Sequence, residues 1–328
     1  MNFRTEVELP VGAYEICHAD KLMLWGSCFT NSIGALLSDG KFVCDINPFG
    51  VLYNPMSIAA GMQQLLERYR YGEKDLLHEN GMWFSLMHHS AYSFPEKSSC
   101  LDAINTRLNA GADFLERADW LLITWGTARI YEWKADGRIV GNCHKLPERL
   151  FTRRLLSAEE IVETYRRLLQ KLRECNPNLQ VLFTISPIRH MRDGMHGNQI
   201  SKAVLLLAAD RLCETLPYCH YFPAYEIMMD ELRDYRFYAD DMLHPAPLAV
   251  NYIWECFKKT CFTKNTIRIL QELSEVKKAL EHRPFNPESE AYKTFLRQIL
   301  LKIRGLKEKF PYLDVQKEET LCQVRLKK

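Results

Sequence analysis

The sequence has 328 residues, 47% of them apolar and 26% charged, and its 43 basic and 41 acidic residues leave a formal net charge of +2. This near-neutral balance argues against a dedicated nucleic-acid surface, and no apolar run reaches the roughly 18 residues of a membrane span. The first residues lack the apolar core of a secretion signal, and the 11 cysteines show neither regular spacing nor a CxxC pair. We therefore expect a cytoplasmic protein without metal or cofactor, whose partner is a small molecule.

Apolar runs of strand length alternate with helix-length segments over residues 20–260. The predicted strands lie at 22–25, 41–46, 82–86, 120–125, 181–185 and 220–222, with a hairpin at 131–140. The predicted helices lie at 31–37, 57–71 (capped by Ser57), 106–118, 157–175 (opened by a Ser157–Glu160 capping box), 201–216 and 247–260. This order predicts an α/β fold with a doubly wound, mainly parallel sheet. Ligands of such sheets bind at the carboxyl ends of the strands.

The character of the chain changes near residue 265. Segments 267–280 and 290–310 are amphipathic and charge-rich, so we predict an α/β domain at 1–264 and a helical extension at 265–328. One interpretation is that these helices simply have a solvated face. The other is that they bind a partner, join copies into a homo-oligomer, or make the protein an assembly factor.

One turn carries two small nucleophilic side chains. Gly26-Ser27-Cys28 follows the apolar run 22–25 and precedes the first predicted helix. A thiol at such a helix start can be activated by the helix N-terminus and by a neighbouring imidazole. The alternative is that Ser27 caps the helix and Cys28 is a buried small residue.

A second element, Asp241-Met242-Leu243-His244, precedes the last helix of the α/β segment. A carboxylate three residues before a histidine can orient the imidazole and stabilise its cation, while the other ring nitrogen faces a nucleophile. The two elements together favour nucleophilic catalysis with His244 as base and Asp241 as its orienting acid.

Further motifs follow in a fixed order after Gly26-Ser27-Cys28-Phe29-Thr30. They are Asn47-Pro48-Phe49-Gly50, Asn142-Cys143-His144-Lys145, Ser186-Pro187-Ile188-Arg189-His190, Ser201-Lys202-Ala203 and Asp234-Tyr235-Arg236-Phe237-Tyr238. With them the chain resembles the GSCFA family, which is similar to the SGNH/GDSL hydrolase superfamily. Members of that superfamily mostly cleave acyl esters with a Ser, a His and usually an Asp on a flavodoxin-like three-layer fold. The resemblance implies this fold and this chemistry and leaves the substrate open.

The resemblance also implies roles for single residues. The superfamily's Gly-Asp-Ser-Leu block places Cys28 at the nucleophile, with Ser27 as the alternative. A thiolate would act through a thioester, so acyl transfer is as plausible as hydrolysis. Gly50 corresponds to a glycine whose N–H stabilises the oxyanion.

The superfamily's Gly-x-Asn-Asp block reads Gly126-Thr127-Ala128-Arg129 here and lacks the oxyanion Asn. Three residues could replace that donor: Thr127, Asn142 or His144. Because one such donor is worth on the order of 10²–10³ in rate, a non-catalytic binding protein that keeps the pocket is the alternative function.

Arg189 follows the strand at 181–185 and could bind a carboxylate or phosphate of the substrate. It could equally pair with Asp193. The adjacent His88 and His89 would face opposite ways on a strand, and no third ligand stands at a recognisable spacing, so we expect no metal site. By analogy with the superfamily, the expected substrate is a small, carbohydrate-linked acyl compound.

Overall fold

The computed structural model describes residues 4–10, 12 and 14–327. Of the lead-in predicted over residues 1–20, residues 1–3, 11 and 13 lie outside the described part. The chain forms two compact units. Of the described residues, the first unit comprises 4–10, 21–35 and 44–257, and the second comprises 12, 14–20, 36–43 and 258–327.

The described residues form strands and helices that alternate along much of the chain. The strands are β1 (Lys21–Gly26), β2 (Val43–Ile46), β3 (Leu77–Glu79), β4 (Met82–Phe84), β5 (Trp120–Trp125), β6 (Arg129–Trp133), β7 (Ile139–Val140), β8 (Phe151–Leu155), β9 (Gln180–Ile185) and β10 (Cys219–Tyr221). The helices are α1 (Cys28–Asp39), α2 (Pro55–Leu66), α3 (Lys97–Leu115), α4 (Ala158–Cys175), α5 (Gly194–Thr215), α6 (Ala224–Glu226), α7 (Pro247–Cys261), α8 (Lys264–Glu281), α9 (Glu290–Lys309) and α10 (Gln316–Leu326).

A five-stranded parallel sheet forms the centre of the first unit, in the order β10-β9-β5-β1-β2. Numbered among themselves along the chain, these strands have the order 2-1-3-4-5, which is the flavodoxin-like doubly wound arrangement. The predicted fold class is therefore confirmed. The order reverses between β1 and β5, where Gly26 pairs with Thr124. Such a switch point opens a crevice beyond the carboxyl ends of the strands.

Helices cover both faces of this sheet because the central strands are apolar on both sides. One set of strand side chains packs against α2, α3, α4 and α5: Met23, Trp25, Leu121, Ile123 and Phe183. The alternate set lies beside Phe29, Ile33 and Phe257 of α1 and α7: Leu24, Leu122 and Leu182. Each large side chain buried in this way contributes roughly 1.5–3 kcal/mol, so the strand ends rest on a rigid base.

Four predicted helices have different beginnings or ends in the structure. Helix α1 runs from Cys28 to Asp39 and so extends the predicted 31–37 at both ends. Helix α2 is capped by Asn54, whose Oδ1 accepts the Ser57 N–H at 2.8 Å, so the prediction of Ser57 as the cap is wrong, and the helix already ends at Leu66. Helix α3 begins at Lys97, before the predicted residue 106. Helix α5 begins at Gly194, before Ser201, because polar residues of its first turns bind neighbouring loops and leave no apolar stripe to detect. The capping box of α4 is confirmed.

A small antiparallel sheet, in the order β7-β6-β8, follows β5. The predicted hairpin is confirmed by the pairing of β6 with β7. Tyr131 of β6 pairs with Arg153 of β8. Because side chains two residues apart share a face of a strand, Arg129, Tyr131 and Arg153 lie on one face of this sheet.

The second unit contains helices α8, α9 and α10. The two predicted C-terminal helices are confirmed with small shifts of their ends, whereas α10 was not predicted. Their buried core includes Ile269, Leu296, Ile303 and Cys322. The domain boundary at residue 264 and association through these helices remain predictions. Across the described residues, we find no helix with both the length and the apolar character that a membrane span requires.

Candidate functional site

The turn after β1 requires its glycine. Gly26 has a φ of +144°, and a Cβ at this position would lie 2.2 Å from the carbonyl oxygen of Thr124. Its N–H donates to Oδ1 of Asn47 at 2.8 Å. Any other residue would be strained in this backbone conformation and would push β1 and β5 apart, so the chain can leave the sheet sharply only here.

Ser27 is enclosed within this turn. The residue is only 1% exposed. The hydroxyl donates to Oγ of Ser186 at 3.0 Å and accepts the N–H of Phe29 at 3.3 Å. The second bond is that of a helix N-cap, as in the alternative interpretation of the sequence. Both contacts bind the Ser27 oxygen to the protein.

Cys28 is the first residue of α1 and is half-buried. Its thiol lies next to the hydroxyl of Tyr53. Burial raises the pKa of Tyr53, and the charge of Cys28 and a hydrogen bond with its thiol raise it further. Tyr53 therefore keeps its proton at neutral pH and can donate a hydrogen bond to a thiolate or to an oxygen bound beside it.

The Asp241–His244 turn orients the imidazole by itself. Oδ1 of Asp241 accepts the N–H groups of Leu243 and His244, both at 2.9 Å. Nδ1 of His244 donates to Oδ2 of Asp241 at 2.6 Å. These bonds, led by the one from the His244 N–H, lower the pKa of Asp241 to about 2. Because an ionised carboxylate only accepts hydrogen bonds, Nδ1 carries the proton and Nε2 is left as the basic nitrogen.

The two turns meet at one cavity of about 450 Å³. It is lined by Ser27, Cys28, Tyr53, Asn54, His89, Thr127, Arg129, Tyr131, Val140, Gly141, Asn142, Cys143, Arg153, Ile188, Arg189, His190, Arg192 and His244. Six predicted site residues are therefore brought together: Ser27, Cys28, Thr127, Asn142, Arg189 and His244. Asp241 stands behind His244, as an orienting residue should.

The N–H of Gly50 already has a partner within the protein. It donates to the carbonyl oxygen of Asn47 at 2.8 Å, and its Cα faces the side chain of His89. The role of Gly50 as an oxyanion donor stays a prediction, which this hydrogen bond does not favour.

Three further predicted donors are also committed to the protein. The N–H groups of Gly126 and Thr127 both donate to the carbonyl oxygen of Tyr53, at 2.8 and 3.1 Å. The Thr127 hydroxyl bonds with Oγ of Ser201 at 3.0 Å. Nε2 of His144 lies 2.9 Å from the carbonyl oxygen of Ser85, and its ring stacks on Phe84. The His144 ring thus braces a loop, and its role as an oxyanion or substrate contact stays a prediction.

Two side-chain amides remain as donors toward the cavity. Oδ1 of Asn142 accepts the N–H of His144 at 2.8 Å, and Oδ1 of Asn54 accepts the N–H of Ser57 at the same distance. With each oxygen held, the NH₂ group is the part left for a ligand. Asn142 was among the predicted replacements for the missing oxyanion Asn, whereas Asn54 was missed.

Arg189 does not pair with Asp193. One terminal nitrogen donates to the Tyr238 hydroxyl at 3.0 Å, and the guanidinium lies over the Tyr238 ring. Asp193 instead binds both terminal nitrogens of Arg153 and lies 3.5 Å from Nε of Arg129. Of the two roles predicted for Arg189, contact with a ligand is the one that this geometry leaves open.

His190 was part of a recognised motif but was not predicted as a site residue. Its pKa is lowered to about 4, chiefly by burial and then by the charge of Lys202. The ring is therefore neutral at physiological pH, and its buried Nε2 has no hydrogen-bond partner among the described residues. Its place after β9 was the only signal in the sequence.

Lys202 holds two strand ends together beneath the cavity. Its ammonium donates to the carbonyl oxygens of Gly126 and Ser186 at 2.7 and 2.6 Å. The residue is 1% exposed, and burial lowers its pKa to about 7. Lys202 thus links Gly126, at the end of β5, to Ser186, at the end of β9. The side chain of Ser186 is the one that binds Ser27.

No group of three or more His, Cys, Asp or Glu side chains within the described ranges is arranged to hold a metal ion. His88 is fully buried and stacks on Phe49, whereas His89 lines the cavity. The two residues lie in the loop after β4 and not on a strand, and their imidazoles have different surroundings.

Together, the sheet order and the turns at its switch point define a flavodoxin-like α/β protein with a strand-end cavity. The sequence profile of the GSCFA family matches residues 21–257, and that of the GSCFA domain protein, C-terminal domain, matches residues 262–328. The chain belongs to the GSCFA family. None of the curated proteins matches the sequence significantly.

Two solved structures are similar in their overall path. One is a Streptococcus pneumonia protein provisionally named a platelet activating factor, with a TM-score of 0.37, 10% identity, and coverage of 75% of this chain and 84% of that chain. The other is a Clostridium thermocellum family 3 carbohydrate esterase, with a TM-score of 0.34, 12% identity, and coverage of 78% and 98%. At these scores neither structure bears on the reaction or substrate of this chain.

Proposed function

We propose that the protein is an acyl-ester hydrolase or acyltransferase that acts through Cys28, His244 and Asp241 on a small, carbohydrate-linked acyl substrate. The observation that carries this proposal is the 2.6 Å hydrogen bond from His244 to Asp241, in a turn that shares a cavity with Cys28. It leaves Nε2 of His244 as a base on the same cavity as the thiol.

The reaction has two steps. The Cys28 sulfur bonds to the acyl carbon while its proton passes to Nε2 of His244, and the ester C–O bond then breaks as the leaving alcohol takes that proton. In the second step, water or an acceptor alcohol attacks the thioester and gives its proton to Nε2 of His244, and the C–S bond then breaks as the Cys28 sulfur takes that proton back. Asp241 stabilises the imidazolium that exists between these transfers.

The oxyanion of each step needs donors other than Gly50 and Gly126. The N–H of Cys28 lies at the start of α1, where N–H groups have no partner within the helix. The NH₂ groups of Asn54 and Asn142 and the hydroxyl of Tyr53 face the same cavity. We assign the oxyanion to the Cys28 N–H with one of these side chains.

Acyl trapping tests the nucleophile. The full-length protein is incubated with p-nitrophenyl esters and acetylated sugars, quenched in acid, digested and examined by mass spectrometry. We expect an acyl adduct on Cys28, and we expect the Cys28→Ala variant to lose both adduct and turnover.

Cys143→Ala is the matched control, because Cys143 lines the same cavity and burial raises the pKa of its thiol to about 11. We expect this variant to keep both adduct and turnover. An adduct on Ser27, or full turnover by Cys28→Ala, would show that the assignment is wrong.

A binding protein without catalysis is the second candidate. The capture of the Gly126 and Thr127 N–H groups by Tyr53, and of the Gly50 N–H by Asn47, favours it, since it leaves fewer backbone donors for an oxyanion. If the wild-type protein binds the same esters in calorimetry, yet gives neither adduct nor turnover with any of them, this second function stands.

A further inference from the structure

The cavity that contains Cys28 and His244 has an unusual charge. Four arginines line it, Arg129, Arg153, Arg189 and Arg192, and no Asp or Glu lines it among the described residues. Arginine is weakly hydrated and offers five N–H donors in a planar fork that matches the oxygens of a carboxylate or phosphate. A cavity wall of this kind suits an anionic ligand, unless carboxylates behind it already form ion pairs with the guanidinium groups.

The carboxylates behind the wall do not use up this charge. Asp193 serves both Arg153 and Arg129, so one carboxylate faces two guanidinium groups. Glu148 pairs with Arg192. Arg189 has no carboxylate within ion-pair distance in the described part of the chain, and its contacts are the hydroxyl and ring of Tyr238 and the sulfur of Met229. Four positive charges therefore face two negative charges.

Several donors of this wall have weak partners or none. Nε of Arg153 is buried and makes no hydrogen bond with the described residues. Nε of Arg129 has only Asp193, at 3.5 Å, and the buried Tyr131 hydroxyl lies beside Arg153. The Tyr131 ring lies between the guanidinium carbons of Arg153 and Arg192, at 5.4 and 5.3 Å from its centroid. Buried donors without partners are scarce in folded proteins. The Arg129 and Arg153 side chains are also each 26% exposed, so the wall keeps guanidinium surface that a ligand can contact.

We propose that this arginine wall binds an anionic oxygen group of the acyl substrate, a carboxylate or a phosphate, with Arg189 as the principal contact and Arg129 as the second. The identification of the anion as part of an acyl substrate rests on the proposed function, whereas anion binding itself does not. The wall selects acyl compounds that carry a negative charge over neutral ones of the same size.

Calorimetry on the full-length protein tests anion binding without any turnover. The probes are succinate, inorganic phosphate and neutral succinamide at matched ionic strength, which removes general screening. We expect succinate or phosphate to bind and succinamide not to bind, and the tighter anion identifies the group. In Arg189→Met the affinity should fall by about 10- to 100-fold, as expected for hydrogen bonds to a charged group.

Two further variants separate binding from folding. Arg129→Met should also weaken anion binding. This variant should still fold, because Arg153 alone can hold Asp193. Arg236→Met is the control, since Arg236 is exposed, lies outside the cavity and pairs with Asp234. If neither anion binds better than succinamide, or if both Arg189→Met and Arg129→Met bind anions like the wild type, the proposal is wrong.

A kinetic measurement then connects the site to the substrate. With mono-p-nitrophenyl succinate, Arg189→Met should raise KM by at least about tenfold, and the ratio of kcat/KM for this ester to kcat/KM for p-nitrophenyl acetate should fall by a similar factor. Arginine-dependent anion binding without turnover of either ester would support the anion site and reject the acyl chemistry. Equal effects on both esters would overturn the selection of charged substrates.

Discussion

The two turns that meet at the cavity are held in opposite ways. Ser27, beside the thiol, is 1% exposed, and its turn is bound by Ser186, Asn47 and the close approach of β5. The side chains of His244 and Asp241 are 46% and 47% exposed, and the Asp241 carboxylate supplies the bonds that shape their turn. The thiol is thus positioned by the core of the sheet and the imidazole by a local carboxylate.

This difference separates stability from activity. A change at the imidazole turn breaks few contacts with the core, so it should affect catalysis alone. A change beneath the thiol turn removes buried hydrogen bonds and should affect the free energy of unfolding first. The variants below test this separation, beginning with the largest expected effect.

His244→Asn should lower acyl turnover by about 10²–10⁴-fold, the contribution of a general base. Its melting temperature should change by no more than about 2 °C, because the side chain is half exposed. Turnover and thermal melting are measured on the same preparation, with exposed His196→Asn as control. A large loss of stability would contradict the local character of this turn.

Lys202→Met should lower the free energy of unfolding by about 2–5 kcal/mol. It leaves the carbonyl oxygens of Gly126 and Ser186 buried without their donor, and each such group costs roughly 1–3 kcal/mol. Denaturant titration measures the change, and exposed Lys171→Met is the control. Equal stabilities of the two variants would show that the lysine does not hold the strand ends.

The stability of the wild type relative to Lys202→Met should also depend on pH. Burial lowers the pKa of Lys202 to about 7, below the roughly 10.4 of an unfolded lysine. Between these values the unfolded chain binds the extra proton, so the wild type gains stability relative to the variant as pH rises from 7 toward 10. The measurement is the difference in unfolding free energy at pH 7 and pH 9.5, and a difference that shrinks would contradict the assignment.

Ser27→Ala should have the smallest effect. Loss of the cap on the Phe29 N–H costs about 0.5–2 kcal/mol, while turnover should remain within about tenfold of the wild type because the thiol is retained. Chemical denaturation and turnover are compared for this variant. A loss of turnover beyond about 10³-fold with intact stability would instead make Ser27 the nucleophile.

Strand patterns and local turns could be predicted from the sequence. The run from Trp120 to Trp125 is a strand as predicted, because a fully buried parallel strand is apolar throughout. The Ser157 capping box and the hairpin after β5 also form as predicted. The early start of α5 could not be predicted, because its first turns are polar and bind loops distant in sequence.

By itself, the sequence determined the glycine of the first turn, the carboxylate–imidazole pair and the alternation of strands and helices. These features depend on neighbours in the chain or on a regular pattern of burial. Only the tertiary structure decided which donors remain for a ligand, because distant groups compete for them. The Tyr53 carbonyl captures the N–H of Gly126, and Asp193 binds Arg153 while Arg189 stays without a carboxylate in the described residues.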